Sequence, residues 1–211
     1  MIGEVLTDDY QNIPRYYTAL AEWICCMLPC FFYPRKVGKA RFAIAAVCTL
    51  ILMTVWLVWT GDVPIQVWLV CVLVPGGVMV FFFCFTIDIS EKMVLYCCMK
   101  AFLSAEFMAS LEWQLEYFVH NGREKRDFLN WIILILVYGA VAGIYWVIDK
   151  RMKRGDTELE VGNKELFSTL LIVACAYTIS NLSFVYQNTP FSGTILSDIF
   201  TIRTLSDCAG L

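Results

Sequence analysis

Charge, histidine and enzyme signatures are scarce in this chain of 211 residues. Asp, Glu, Lys and Arg make up 17% of it, against about 25% in an ordinary soluble domain, too few to cover a solvated surface. The one histidine, His120, falls in a short loop expected outside. That position suits neither a Ser-His triad nor a phosphoacceptor on a cytoplasmic helix. The patterns GxxxxGK[ST], GxGxxG, HExxH and GxSxG are all missing, and with them the usual phosphate cradle, dinucleotide turn, zinc helix and nucleophile elbow. No CxxC occurs among the ten cysteines, so neither a metal site nor any cofactor is expected. A net charge of −3 with no basic stripe argues against a nucleic-acid partner. The acidic start MIGEVLTDDYQN lacks the positive n-region of a signal peptide.

Apolar residues are abundant instead. They form 59% of the chain, with 15 Phe, ten Tyr and seven Trp, and the mean hydropathy is +0.65. Crossing a hydrocarbon core takes roughly 20 apolar residues, and four runs meet that need: 42–59, 63–87, 128–148 and 166–186. Segment 16–33, holding Glu22 and broken by Pro29, is expected either to span or to lie partly in the interface. Segment 93–119 is amphipathic, and 195–211 begins a last helix. The expected fold class is therefore all-α, one polytopic transmembrane bundle of about six to seven helices. Most cysteines fall inside apolar runs as small packing residues, with acylation of Cys25 and Cys26 near a membrane edge the lesser alternative.

Orientation follows from Lys and Arg in short loops. Arg35, Lys36, Lys39, Arg41, Lys92, Lys150, Arg151, Lys153, Arg154 and Lys164 fall on one side, ten residues, against Arg15, Arg123, Lys125 and Arg126 on the other. The ten-residue side is expected in the cytoplasm of a plasma-membrane protein, with the N-terminus outside and the C-terminus inside. The loop HNGREKRD, 120–127, runs against that count because its three basic residues would face outward.

The segment AFLSAEFMASLEWQLEYF, 101–118, carries the chemistry. At about 100° per residue, Glu112 and Glu116 share a stripe with Ala105 and Ala109, while Glu106, Ser110, Trp113 and Tyr117 form the adjoining one. A charged side chain in mid-membrane costs about 2.5–3.5 kcal/mol on insertion scales, so such residues face a bundle interior or a cavity. Two readings stand side by side. Either the glutamates line a polar site for a ligand, ion or relay, or Glu112 and Glu116 are wet at the outer interface and only Glu106 is deep. Lys100 sits on a different side from Glu116 and needs another partner. Pro75-Gly76-Gly77 is expected near the centre of segment 63–87, as a kink or hinge. Gly139 and Gly143 form a GxxxG face, for packing within the chain or for dimerisation. Arg203 and Asp207 are spaced to pair on the last helix, and Asn181, Ser183 and the loop QNTPFSG supply polar groups at the outer mouth.

The stretches LPCFFYPRK (28–36), KAFLSAEFMASLEWQLEYF (100–118), ISNLSFVYQNTPFSG (179–193) and IFTIRTLSDCAGL (199–211) resemble the N-terminal membrane sensor region of GHKL-type sensor histidine kinases of clostridial Gram-positive bacteria, the group that includes accessory-gene-regulator-like kinases. The resemblance covers about half the chain. It implies a six- or seven-helix sensor of a two-component system, homodimeric in the full-length protein. The last helix would lead to a cytoplasmic kinase domain and a response regulator. Neither the phosphoacceptor histidine nor the ATP-binding motifs lie within these 211 residues, so no enzyme activity is expected of them, and the chain is expected to be either a fragment or a stand-alone sensor.

The expected function is a membrane sensor module that relays a peptide or small-molecule signal, extracellular or lipid-borne, to a cytoplasmic output. Recognition would fall to Lys100, Glu106, Glu112, Trp113, Glu116, Asn181 and Ser183, with Glu106 foremost, and transmission to Arg203 and Asp207. The rival is a small transporter or transporter subunit with buried carboxylates. An intramembrane enzyme using Glu106 and Glu112 is disfavoured, since six residues place them on faces about 120° apart.

Overall fold

The computed structural model describes residues 15–61, 63, 67, 70–120, 127–153 and 161–185, with the backbone alone at 117–120, 127, 152–153 and 179–185. Among these residues the regular structure is helical: α1 Arg15–Met27, α2 Pro29–Phe32, α3 Lys39–Trp59, α4 Leu73–Thr86, α5 Glu91–His120, α6 Asp127–Lys153 and α7 Asn163–Val185. The β-type pairing described is one isolated bridge between Arg35 and Ile87. Three stretches are long and apolar enough to cross a membrane, Lys39–Trp59, Glu91–Glu116 and Phe128–Arg151.

The polarity of the bundle is inverted relative to a soluble one. Outward faces carry Ile44, Val55 and Trp59 on α3, Phe81 on α4, Phe128 and Leu136 on α6, and Phe167 on α7. The interior holds Glu22, Ser104, Glu106, Ser110, Glu112, Gln114 and Glu116. Each outer helix buries one stripe of a cylinder that is apolar all round. On α3 the stripe is Ala46, Thr49, Met53 and Leu57. On α6 it is Leu134, Val137, Tyr138, Val141 and Tyr145. α5 packs against α1, α4, α6 and α7, and its Ala101, Ser104, Ala105, Ala109 and Ser110 are buried. Small residues at those positions allow close helix approach.

Prolines set two breaks. α1 stops at Met27 and α2 begins at Pro29, so expected segment 16–33 is two helices separated by Leu28. In expected segment 63–87 the described helix α4 has 14 residues, and Val67, Val70 and Cys71 before it are also helical, with a turn at Val72. Pro75 lies in the first turn of α4, three residues after the turn at Val72 that interrupts the helical run, and Gly76 and Gly77 have nothing within 4 Å of an added Cβ. A proline at 75 has no N–H to offer the Cys71 carbonyl four residues back. Trp56 Nε1 donates to that carbonyl at 3.0 Å instead, tying the end of α3 to the start of α4.

The remaining ties fix the order of helices. Trp23 Nε1 donates to Ala46 O at 2.8 Å, joining α1 to α3, and Tyr138 Oη donates to Tyr17 O at 2.9 Å, joining α6 to α1. The link 33–38 meets the α4–α5 turn through Lys36 N donating to Thr86 O at 2.9 Å and Asp88 N donating to Pro34 O at 2.8 Å. Phe31 and Phe32 pack on Trp146 of α6. These contacts bring Arg35, Lys36, Lys39, Arg41, Lys92, Lys150, Arg151 and Lys164 to one end of the bundle, all exposed.

The GxxxG of α6 faces away from its buried stripe. Gly139 and Gly143 are exposed, with nothing among the described residues within 4 Å of an added Cβ. Cys25 and Cys26 are fully buried between helices, which removes them as acylation sites in this arrangement. Residues 195–211, with Arg203 and Asp207, and the loop 187–193 lie outside the described residues.

Trp56→Phe should destabilise the chain in detergent by about 1–3 kcal/mol, the cost of an unpaired buried carbonyl. The same change in a Pro75→Ala background should cost less, because an alanine at that position restores the backbone N–H. Equal losses in both backgrounds, read by thermal unfolding, would show that the indole does not stand in for the proline.

Candidate functional site

The site is built along α5, whose polar residues are enclosed by neighbouring helices. Lys100 and Glu116 are 16 positions apart, about 24 Å of helix, and each is tied to α6. Lys100 Nζ forms an ion pair with Asp149 Oδ1 and lies 4.7 Å from the centre of the Tyr145 ring. Glu116 Oε1 accepts from Asn130 Nδ2 at 2.7 Å. Asn130 and Asp149 extend the buried stripe of α6 at its two ends, since 130, 134, 138, 141, 145 and 149 follow helical spacing. The partner Lys100 needed is therefore Asp149, four residues beyond Tyr145.

Between these clamps lie the carboxylates without clamps. Both oxygens of Glu112 and both of Glu22 lack a hydrogen-bond partner among the described residues, and each side chain is 0% exposed. Glu112 is one turn from Glu116, and Tyr17 of α1 and Tyr138 of α6 are within its electrostatic reach. Glu22 projects from the buried stripe Thr18, Glu22, Cys25, Cys26 of α1, within electrostatic reach of Glu106 and Cys98 of α5. Ser104 and Ser110 hydroxyls are buried on α5, also without a hydrogen-bond partner among the described residues.

One expectation changes. Glu112 and Glu116 are not wet at an interface: Glu112 is fully enclosed and Glu116 is 8% exposed, close to the 7% of Glu106. Glu106 is buried, as the second of the two readings has it, and the carboxylates without hydrogen-bond partners among the described residues are Glu112 and Glu22. Trp113 is buried in the core. Asn181 and Ser183 belong to the last turns of α7, and their side chains lie outside the described residues.

Sequence reading missed Glu22, Asp149 and Asn130 as site members. Glu22 had one available signal, as the sole acid in an otherwise apolar run. Asp149 reads as an interfacial residue because Lys150 and Arg151 follow it, and only its spacing from Tyr145 hints at an inward position. Asn130 carries no signal beyond being a polar residue in FLNW.

Chemically, the ladder offers hydrogen-bond acceptors and negative charge to a cation, an N–H donor or a proton inside an apolar shell. Among the described residues no three His, Cys, Asp or Glu side chains are grouped to hold a metal ion. Comparison with family models, curated proteins and solved structures finds no match. What the fold defines is an all-helical protein with three helices apolar and long enough to cross a membrane.

Lys100→Met should cost about 3–5 kcal/mol by leaving Asp149 buried and unpaired, and Lys100→Met with Asp149→Leu should recover most of that loss. Unfolding in detergent measures both. A double variant as unstable as the single one would mean that the pair does more than neutralise itself.

Proposed function

We propose that the chain is a multi-pass helical bundle of the plasma membrane that works as a signal-sensing module, the sensor part of a two-component histidine kinase as the resemblance implies. The observation that carries the reading is the pair of enclosed carboxylates, Glu22 and Glu112, without hydrogen-bond partners among the described residues. A buried acceptor left unmade costs about 1–3 kcal/mol, more when charged. A state of the bundle in which a signal molecule supplies the missing donors would recover that cost. The signal therefore biases a two-state equilibrium through differential contacts.

The proposed orientation puts the basic end in the cytoplasm. The Glu116–Asn130 end then faces outward, and a cationic or N–H-rich peptide or small molecule meets Glu116 first, with Glu112 one turn deeper. The Lys100–Asp149 pair near the inner end holds α5 to α6 and carries movement of α5 toward the output. A homodimer, a kinase domain and a response regulator complete the proposal and follow from the resemblance.

The transporter reading draws on the same unpartnered carboxylates, which would carry protons or bind a cationic substrate. Its discriminating measurement is uptake of a cationic dye or of protons by proteoliposomes of the 211-residue chain. Transport lost in Glu22→Gln and Glu112→Gln would favour it over sensing.

For the sensor reading, Glu112→Gln in the reading frame with its downstream output domain should move the dose–response midpoint for autophosphorylation by about tenfold or more. That matches about 1.5–3 kcal/mol for a hydrogen bond to a charged group. Unchanged midpoints in both Glu112→Gln and Glu22→Gln, titrated with culture medium containing the signal, would remove the ladder from recognition.

A further inference from the structure

The basic end of the bundle holds, among the described residues, more cations than carboxylates in ion-pair reach of them. Among the described residues, Lys36 has a carboxylate in ion-pair reach, Asp88 at 3.8 Å. No such partner is described for Arg35, Lys39, Arg41, Lys92, Lys150 or Arg151. Apolar side chains adjoin these cations in the chain and are equally exposed: Phe31, Ile44, Leu95 and Ile148. Positive charge above an exposed apolar belt matches a molecule with an anionic head and hydrocarbon tails.

Arg35 gives this end a fixed point. Its Nε donates to Cys30 O at 3.2 Å, and its guanidinium carbon lies 4.3 Å from the Phe42 ring centre and 6.0 Å from that of Phe31. Its backbone is held by the bridge to Ile87. An exposed arginine normally samples many rotamers. Here the backbone carbonyl and the rings orient the planar fork, so little freedom is lost when its outer N–H groups take a phosphate. Lys39 and Arg41 follow in the first turn of α3, within a few residues of that fork.

We infer that this end is a docking surface for anionic phospholipid, with the lipid phosphate on Arg35, flanked by Lys39 and Arg41, and the acyl chains along the exposed apolar side chains of α2 and α3. The inference requires a bilayer around the chain and is independent of what signal the carboxylate ladder reads. Basic residues near an anionic leaflet each contribute to its attraction, which fades within a Debye length. The preference should therefore weaken in high salt, and the share that depends on Arg35 should resist salt best.

The test reconstitutes the full chain in nanodiscs of phosphatidylcholine alone and of phosphatidylcholine with phosphatidylglycerol, and measures the lipids retained by the purified protein and its thermal stability. Phosphatidylglycerol should be enriched, and Arg35→Gln should reduce the enrichment by about fivefold, the change that roughly 1 kcal/mol per basic residue represents. Arg35→Lys should keep the charge but only part of the enrichment. Equal retention of the two lipids by the unaltered chain would overturn the inference, whether or not the variants fold. So would enrichment unchanged in Arg35→Gln, or inorganic phosphate stabilising the chain in phosphatidylcholine as well as phosphatidylglycerol does, which would assign the site to a soluble phosphate.

Discussion

A carboxylate cannot be left against hydrocarbon, and the arrangement of this protein turns on that constraint. α5 carries Glu106, Glu112 and Glu116 within one apolar-enough span, so it has to be the enclosed helix, and others must supply the outer surface. α3, α6 and α7 carry mostly apolar side chains outward and can do so by giving up only one stripe each. At the edge of the bundle all three glutamates would be hidden only if the arc of about 120° that they occupy faced inward. The two stripes it presents, Glu112–Glu116 and Glu106–Ser110, point apart by about 120°. Enclosure from several directions is the solution that hides both.

Enclosure then fixes register. α5 and α6 run antiparallel, joined near one end by Lys100 and Asp149 and near the other by Glu116 and Asn130. Sliding one helix past the other by a turn, about 5.4 Å, would break both ties at once and leave four polar groups without those partners. Intermediate positions satisfy neither tie. Movement between α5 and α6 is thus discrete, the property a switching element needs and a continuously deformable one lacks. α1 is tied to α3 and α6 by hydrogen bonds from Trp23 and Tyr138, and its buried Ala19, Ala21, Cys25 and Cys26 join the common core.

The long apolar helices were legible because length and absence of charge leave few alternatives: α3, α5 and α6 cover the runs expected at 42–59, 93–119 and 128–148. Which face of each would be inward was not legible. An all-apolar helix has no moment to read, so the outward turn of Gly139 and Gly143 could not be told from packing. Pro75 marks a place where a helix loses a backbone donor. Its place in the first turn depends on Trp56, 19 residues earlier, serving the Cys71 carbonyl. Asp149 and Glu22 were hidden by their surroundings, one behind a basic flank and the other in a segment whose depth was unsettled. Cross-helix partners are long-range facts that no local pattern contains.

Stability alone does not account for Glu22 and Glu112. Replacing a buried ionic group by a well-packed apolar residue is often neutral or stabilising by about 1–4 kcal/mol, and neither glutamate gains a hydrogen bond described here to offset its enclosure. Glu116 differs, since Asn130 satisfies one of its oxygens, and Lys100 and Asp149 differ because they neutralise each other. The buried carboxylates therefore divide into those with a partner and two, Glu22 and Glu112, with no hydrogen-bond partner among the described residues. A leucine at 22 or 112 would serve packing better than the residue present. A donor or a positive charge brought to either position would meet an acceptor that nothing among the described residues satisfies.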